Sequence, residues 1–333
     1  MIESIEFRNF KALRDTTLPL GPFTLIVGPN GSGKTTAARA IQTTANAHNV
    51  AYETVQSSEP TGDKAVQLII RSSPADGGFQ IRVQWNEGEI GQTNCTDSLG
   101  SRDGSAKEFL RSLGRYRMYT LEAEAVAQPV RLKTNIELAS NGGNLAGVLD
   151  RLRDRAPERW EAFNEGLGEW FPEFDHVLFD VEGEGLRVFQ LRTRQGEHKI
   201  AAPELSQGTL LALTMLTIAY LPEAPPIVCF EDPDRGIHPR LLTNIRDALY
   251  RLAYPEDHGE SREPVQVIAT THSPYFLDLF KDHPEEIVIA EKVGPEARFH
   301  RLADRSDLDE LLGKASLGEI WYTGILGGVP AAP

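Results

Sequence analysis

Cysteine is scarce: Cys95 and Cys229 are the only two in 333 residues. Two such thiols build neither a disulfide framework nor a zinc cluster, which takes three or four Cys/His ligands close in sequence. The eight histidines show no clustering either. Long apolar runs are missing too. The longest, 210–221, is interrupted by threonines and falls short of the roughly 20 residues that span a bilayer. At the start, Glu3, Glu6 and Arg8 stand where a signal peptide would need an apolar core. These absences predict a cytoplasmic protein with no membrane partner. Positive charge is also short, with 34 Lys and Arg against 48 Asp and Glu, a net charge of −14. That argues against a generally basic nucleic-acid binder. A local groove stays open, because phosphate binding needs only roughly 6–10 well-placed basic contacts. No internal repeat, heptad run or low-complexity tract is present.

The length suits one large α/β domain or two smaller ones. Residues 1–42 read as two strands, a loop and a helix. The second strand is the apolar run Phe23-Thr24-Leu25-Ile26-Val27, ending in glycine as a buried parallel strand should. Stretches 66–71 and 79–85 read as a hairpin around the turn signal 74–78, and 86–107 as a Gly/Ser/Asp-rich mobile loop. Helical spacing of Leu145, Val148, Leu149, Leu152, Trp160 and Phe163 predicts one helix over 141–170. A second hairpin is expected over 177–194, a helix over 207–220, and buried strands at 227–230 and 265–270 with helix 239–253 between them. Strands at 286–291 and 297–302 and a short helix at 307–312 complete the expected elements.

Four motifs carry chemistry. Gly28-Pro29-Asn30-Gly31-Ser32-Gly33-Lys34-Thr35 matches the P-loop pattern in full, between an expected strand and an expected helix. Its glycines let backbone N–H groups turn inward around a phosphate. The helix N-terminus adds partial positive charge, Lys34 reaches the β/γ-phosphates, and Thr35 offers its hydroxyl to magnesium. A chance Gly-rich turn is the plain alternative, and the strand–loop–helix context counts against it.

The run Ile227-Val228-Cys229-Phe230-Glu231-Asp232-Pro233 delivers two carboxylates at the end of an apolar strand, where α/β sheets place their ligands. One would hold magnesium and the other polarise an attacking water. The alternative is an acidic loop. Leu205-Ser206-Gln207-Gly208-Thr209 opens a helix and offers a second phosphate-binding end, or an ordinary cap by Ser206. His272, in Thr270-Thr271-His272-Ser273-Pro274, ends a further core strand within reach of a γ-phosphate; a lone histidine is otherwise structural.

In this order the four segments resemble the ABC-type ATPases. The closer likeness is to the RecF/SMC/OLD branch and its stand-alone bacterial AAA family ATPases. Ile5-Glu6-Phe7-Arg8-Asn9-Phe10-Lys11, the run Glu231-Asp232-Pro233-Asp234-Arg235-Gly236-Ile237-His238-Pro239, and the tail Leu317-Gly318-Glu319-Ile320-Trp321-Tyr322-Thr323-Gly324 also look like that branch. The resemblance implies an α/β P-loop NTPase fold: a single ABC-ATPase head over 1–333. Its nucleotide-binding core, with a mostly parallel sheet, would take 1–44 and 201–333. An antiparallel β-rich lobe with a mobile loop would take 45–130, and a helical lobe with a β-hairpin 131–200.

It also implies ATP and Mg2+ as cofactors. Asn30, Gly31, Ser32, Gly33, Lys34, Thr35 and Thr36 would bind the nucleotide, with Asn9 and Lys11 near it. Ser206 and Gly208 of a second copy would cap the γ-phosphate. Asp232 would be the catalytic carboxylate, Glu231 and Thr35 would serve the metal, and His272 would sense the γ-phosphate.

Two departures stand out. The family's commonest acidic pair is Asp then Glu; here it is Glu231 then Asp232, one methylene short of the usual base, which predicts slow hydrolysis. The signature reads Ser-Gln-Gly-Thr instead of Ser-Gly-Gly-Gln. No lobe glutamine stands out beyond Gln128. No long heptad insert is present, and the short stretch after His272 predicts no appended nuclease domain.

The leading expectation is an ATP-hydrolysing, dimerising switch acting on DNA or on a partner effector such as a nuclease, in repair or in defence against mobile elements. The alternatives are the nucleotide-binding subunit of a transporter, or a nucleotide-gated module without turnover. Arg151, Arg153 and Arg155, and separately Arg192 and Arg194, are candidates for a DNA groove or simply solvated surface.

Overall fold

The computed structural model describes residues 1–74, 78–96 and 104–327. Parts of the expected turn at 74–78 and of the expected loop at 86–107 lie outside the described residues. The chain forms two compact units. Unit 1 is Met1–Met118, Pro225–Cys229 and Pro264–Pro333; unit 2 is Tyr119–Ala224 and Phe230–Glu263.

In chain order the strands are β1 (Ile2–Phe10), β2 (Leu13–Pro19), β3 (Phe23–Val27), β4 (Val66–Ser72), β5 (Gln80–Trp85), β6 (Gln92–Thr96), β7 (Arg117–Tyr119), β8 (Phe174–Glu182), β9 (Leu186–Thr193), β10 (Lys199–Ala201), β11 (Ile227–Glu231), β12 (Gln266–Thr271), β13 (Ile287–Val293) and β14 (Glu296–Arg301).

Unit 1 holds two sheets. One is antiparallel, in the order β2-β1-β4-β5-β6. Two of its strands depart from the sequence expectation. β2 was not expected; it pairs with β1 from Ser4↔Pro19 to Phe10↔Leu13. Its turn contains no glycine. Instead Asn9 and Lys11 adopt left-handed φ of 52° and 53°, so no glycine marks the hairpin. β6 falls in the stretch expected as loop. It is an edge strand with mostly exposed polar residues, so it lacks the alternation that marks a strand facing a core.

The other sheet has the order β14-β13-β3-β12-β11-β7. At its centre all five residues of β3 and all six of β12 are buried. Such runs suit a parallel strand covered on both faces. β3 pairs in parallel with β12, ending at Val27↔Thr271, and with β13, reaching Ile289↔Val27. β11 leaves unit 1 at Cys229 and continues as Phe230 and Glu231. Side chains of both sheets, among them Phe7, Phe10, Ile26, Ile268 and Val288, share one apolar core with Ala37 and Ile41 of the helix Lys34–Ala45.

Unit 2 is helical around the three-stranded sheet β10-β9-β8. The helix Gln207–Tyr220 is buried on all sides from Leu210 to Tyr220, which is why its sequence shows almost no polar face. It packs against the helices Pro157–Trp170 and Leu242–Ala253. The single helix expected over 141–170 is two, Leu145–Arg155 and Pro157–Trp170. The break falls at Ala156, with φ −142° and ψ 67°, because Pro157 disfavours a helical residue before it and itself suits a first helical turn. The stretch 239–253 starts as a 3-10 turn, Pro239–Leu241, before the α-helix Leu242–Ala253.

Among the described residues, no helix is long and apolar enough to cross a membrane. Neither Cys95 nor Cys229 is in a disulfide, and burial raises the pKa of the Cys95 thiol.

Candidate functional site

In unit 1 the phosphate loop 28–33 follows β3 and runs straight into the helix Lys34–Ala45. Gly28 lies against β13 so closely that a Cβ there would sit 2.5 Å from the Ala290 carbonyl oxygen and 2.5 Å from Ser32 Oγ. Nothing larger than glycine fits without moving backbone. Gly33, at φ 89°, caps the helix without a side-chain hydrogen bond. The N-terminus of such a helix presents main-chain N–H groups and a partial positive charge toward an anion.

Lys34 is buried, and its Nζ donates to the loop's own carbonyls, Gly28 O at 2.6 Å and Pro29 O at 3.1 Å. The Ser32 hydroxyl is buried without a hydrogen-bond partner. A cradle too tight for a Cβ, an orphaned hydroxyl and an ammonium folded onto its own loop fit a phosphate chain. Asn30 and Gly31 are exposed, and Thr35 and Thr36 are half-buried in the first helical turn.

Lys11 is exposed. Asn9 is buried, and its carboxamide is spent on the segment 61–65: Nδ2 donates to Thr61 O, Asp63 O and Ala65 O, and Oδ1 accepts from Thr61 N–H at 2.8 Å. The hairpin reaches the loop through Leu13, whose Cδ2 would be 2.9 Å from a Cβ on Gly33.

His272, exposed, follows the last residue of β12. Gly28 N–H donates to Thr271 O at 3.4 Å, so His272 and the phosphate loop leave neighbouring parallel strands together. Its segment is held from behind by the tail helix Leu317–Tyr322. Trp321 Nε1–H donates to the His272 carbonyl at 3.3 Å, and Gly318 N–H donates to Asp278 Oδ1 at 2.6 Å.

In unit 2, β11 ends at Glu231, and Asp232 turns the chain with φ 45°. A left-handed non-glycine residue costs about 1–3 kcal/mol and is commonest at functional sites. The turn closes with Arg235 N–H on Asp232 O at 3.0 Å. A small pocket here is lined by Tyr119, Leu121, Leu211, Met215, Phe230, Glu231, Asp232, Pro233 and Arg235. The Tyr119 and Phe230 rings stack at 5.4 Å.

Leu211 and Met215 belong to the helix that Ser206 opens. Ser206 is exposed and caps it in the ordinary way, its Oγ accepting from Thr209 N–H at 3.1 Å, while Gln207 beside it is also exposed. Gly208 backs onto the acidic turn: a Cβ there would lie 2.7 Å from the Gly236 carbonyl. Signature and acidic turn are thus one packed piece of unit 2.

Sequence reasoning missed Thr120, and it named Arg235 and Trp321 only as parts of longer runs. Thr120 Oγ1 donates to Glu231 Oε2 at 3.0 Å, Arg235 Nη2 donates to Leu121 O at 3.1 Å, and Trp321 backs His272. The first two lie more than a hundred residues from their partners and carry no local signal. Gln128 does not line the pocket; it is exposed, and its carboxamide donates to Glu124 O of its own helical turn.

The candidate DNA-groove arginines are largely committed within unit 2. Arg151 donates to Ile136 O, Arg153 to Asp150 and Asp154, and Arg194 to Pro172 O. Arg192 grips Asp175 with two bonds, at 2.9 and 3.0 Å, holding that carboxyl at a pKa of about 2. Arg155 is exposed.

A family model described as "AAA domain, putative AbiEii toxin, Type IV TA system" matches residues 58–278, and one described as "AAA ATPase domain" matches 1–83. An OLD nuclease of Thermus scotoductus is 58% identical over 41 residues, which are 12% of this chain and 8% of that protein. Among solved structures, an Smc head bound to the C-terminal winged-helix domain of ScpA aligns with TM-score 0.63 at 14% identity, over 90% of this chain and 96% of that one. An SMC head domain from Thermotoga maritima aligns with TM-score 0.52 at 16% identity, over 90% and 98%. The chain belongs to the AAA-domain family of the first model, within the RecF/SMC/OLD branch of the ABC-type ATPases.

Proposed function

We propose that the protein is an ATP-driven switch: it binds ATP with magnesium, pairs with a second copy of itself, and reopens on hydrolysis. The observation that carries this reading is the phosphate cradle, with Lys34 drawn onto the Gly28 and Pro29 carbonyls and the Ser32 hydroxyl buried without a partner.

On this reading Lys34 exchanges those two carbonyls for the β/γ-phosphates, and the loop's N–H groups take the remaining oxygens. Thr36 and Asn30 flank the phosphates, and the turn carrying Asn9 and Lys11 borders the nucleotide. Thr35 and Glu231 are the residues assigned to magnesium, which neutralises charge on the phosphates when bound. Asp232 accepts the proton of the attacking water, and His272 donates to the γ-phosphate as it develops charge. Ser206 and Gly208 cap the nucleotide of the other copy, using the exposed start of a 14-residue helix. A closed, symmetric dimer follows from that exchange.

The cytoplasm suits such a switch. The inward commitment of Arg151, Arg153, Arg192 and Arg194, with the net charge of −14, supports a protein effector over DNA as the object acted upon. Defence against mobile elements agrees with the toxin named in the family description, and repair with the SMC-like fold.

The test is steady-state ATP hydrolysis for wild type, Lys34→Ala and Asp232→Asn, with and without DNA, beside light scattering of Asp232→Asn in Mg-ATP. Turnover lost in both variants and a dimer formed by Asp232→Asn are expected. A monomer at high micromolar concentration would sink the dimeric switch. Tight ATP binding with no wild-type turnover would leave a nucleotide-gated module.

A further inference from the structure

Thr120 belongs to no motif. It follows Tyr119, the last residue of β7, and β7 neighbours β11 at the edge of the six-stranded sheet. Three contacts bind this short segment to the acidic turn. The Thr120 hydroxyl donates to Glu231 Oε2 at 3.0 Å. The carbonyl of the next residue, Leu121, accepts from Arg235 at 3.1 Å. The residue before, Tyr119, stacks on Phe230, the neighbour of Glu231.

The segment is itself anchored by backbone bonds. Thr120 N–H reaches Ser140 O at 2.8 Å, and Glu122 N–H reaches Asn141 O at 3.1 Å. A glutamate side chain turns about three bonds, and only a donor fixed in space stops its carboxylate from rotating. A β-branched hydroxyl on an anchored strand end is such a donor, because its own χ1 is restricted. Residues that hydrogen-bond to a metal-ligating carboxylate in this way set its orientation and so the affinity of the site.

We propose that Thr120 is the positioning residue that holds the Glu231 carboxylate in the orientation magnesium requires. The inference rests on the reading of Glu231 as the magnesium-side carboxylate.

The experiment titrates magnesium against binding of a fluorescent ATP analogue to the full chain, for wild type, Thr120→Val, Thr120→Ser and Glu231→Gln. Binding measured in EDTA reports on the phosphate loop alone and should be equal in all four, which also shows that each variant is folded. Thr120→Val, which keeps shape and loses the donor, should raise the half-saturating magnesium concentration about 10-fold or more, and Thr120→Ser should restore it. Turnover at saturating magnesium should recover toward wild type in Thr120→Val, which a general loss of structure would not allow. If Glu231→Gln raises the magnesium requirement and Thr120→Val leaves it unchanged, the role of Thr120 is overturned while the reading of Glu231 stands. If Glu231→Gln has no effect, the magnesium assignment itself fails and takes this inference with it.

Discussion

Where the phosphate loop packs a glycine against a carbonyl and folds a lysine onto its own backbone, the acidic turn holds Asp232 in a left-handed conformation among side chains from distant segments. The loop is built from main chain within eight residues. The turn is built from side chains gathered across unit 2, with Thr120 and Leu121 reaching Glu231 and Arg235. The first arrangement suits binding, since many fixed N–H groups share a diffuse charge. The second suits chemistry, since one carboxylate must be aimed and others kept from moving it.

That contrast can be broken by separating affinity from turnover. Asp232→Asn should lower turnover by roughly 10²–10⁴-fold while leaving ATP affinity unchanged, read by phosphate release and by equilibrium binding. Gly28→Ala should do the reverse. Its Cβ has no room beside the Ala290 carbonyl, so affinity should fall about 10- to 100-fold, measured by titration calorimetry. If both variants lose affinity equally, the two regions do not divide the work.

Gly208→Ala sharpens the comparison further. Its Cβ would press on the Gly236 carbonyl, so turnover should fall about 10-fold with ATP affinity of the isolated protein retained. The smallest effect belongs to Arg192→Ala, far along the chain from either region. Turnover should stay as in wild type, and the Asp175 pKa should rise from about 2 toward its ordinary 3.8, followed by NMR titration. The sign follows from linkage. A depressed carboxyl pKa adds stability above the ordinary range and loses it as pH falls toward 2. Wild type and variant should therefore differ in urea unfolding at neutral pH and converge in strong acid.

The same contrast explains what the sequence revealed. The phosphate loop is local, so spacing alone placed its residues between β3 and the helix Lys34–Ala45. Strand β3 and helix Gln207–Tyr220 were legible because burial on all sides leaves an unbroken apolar run. β2 was hidden by a turn that uses Asn9 and Lys11 instead of glycine, and β6 by an exposed polar edge. The proline at 157 was a visible break that the helical spacing around it outweighed. Ser316 and Glu319 form a capping box at the start of the tail helix, a signal present in the sequence and overlooked. Thr120 could not have been found that way, since nothing near it in sequence points to Glu231.

The bond from Trp321 to the His272 carbonyl has an optical consequence. The chain has four tryptophans, Trp85, Trp160, Trp170 and Trp321. Indole emission depends on what the ring N–H meets, so Trp321 is an intrinsic fluorophore wired to the backbone of the histidine strand end. With the other three replaced by phenylalanine, its emission maximum and quenching by iodide would report each displacement of His272 in real time, without a label and without waiting for phosphate release.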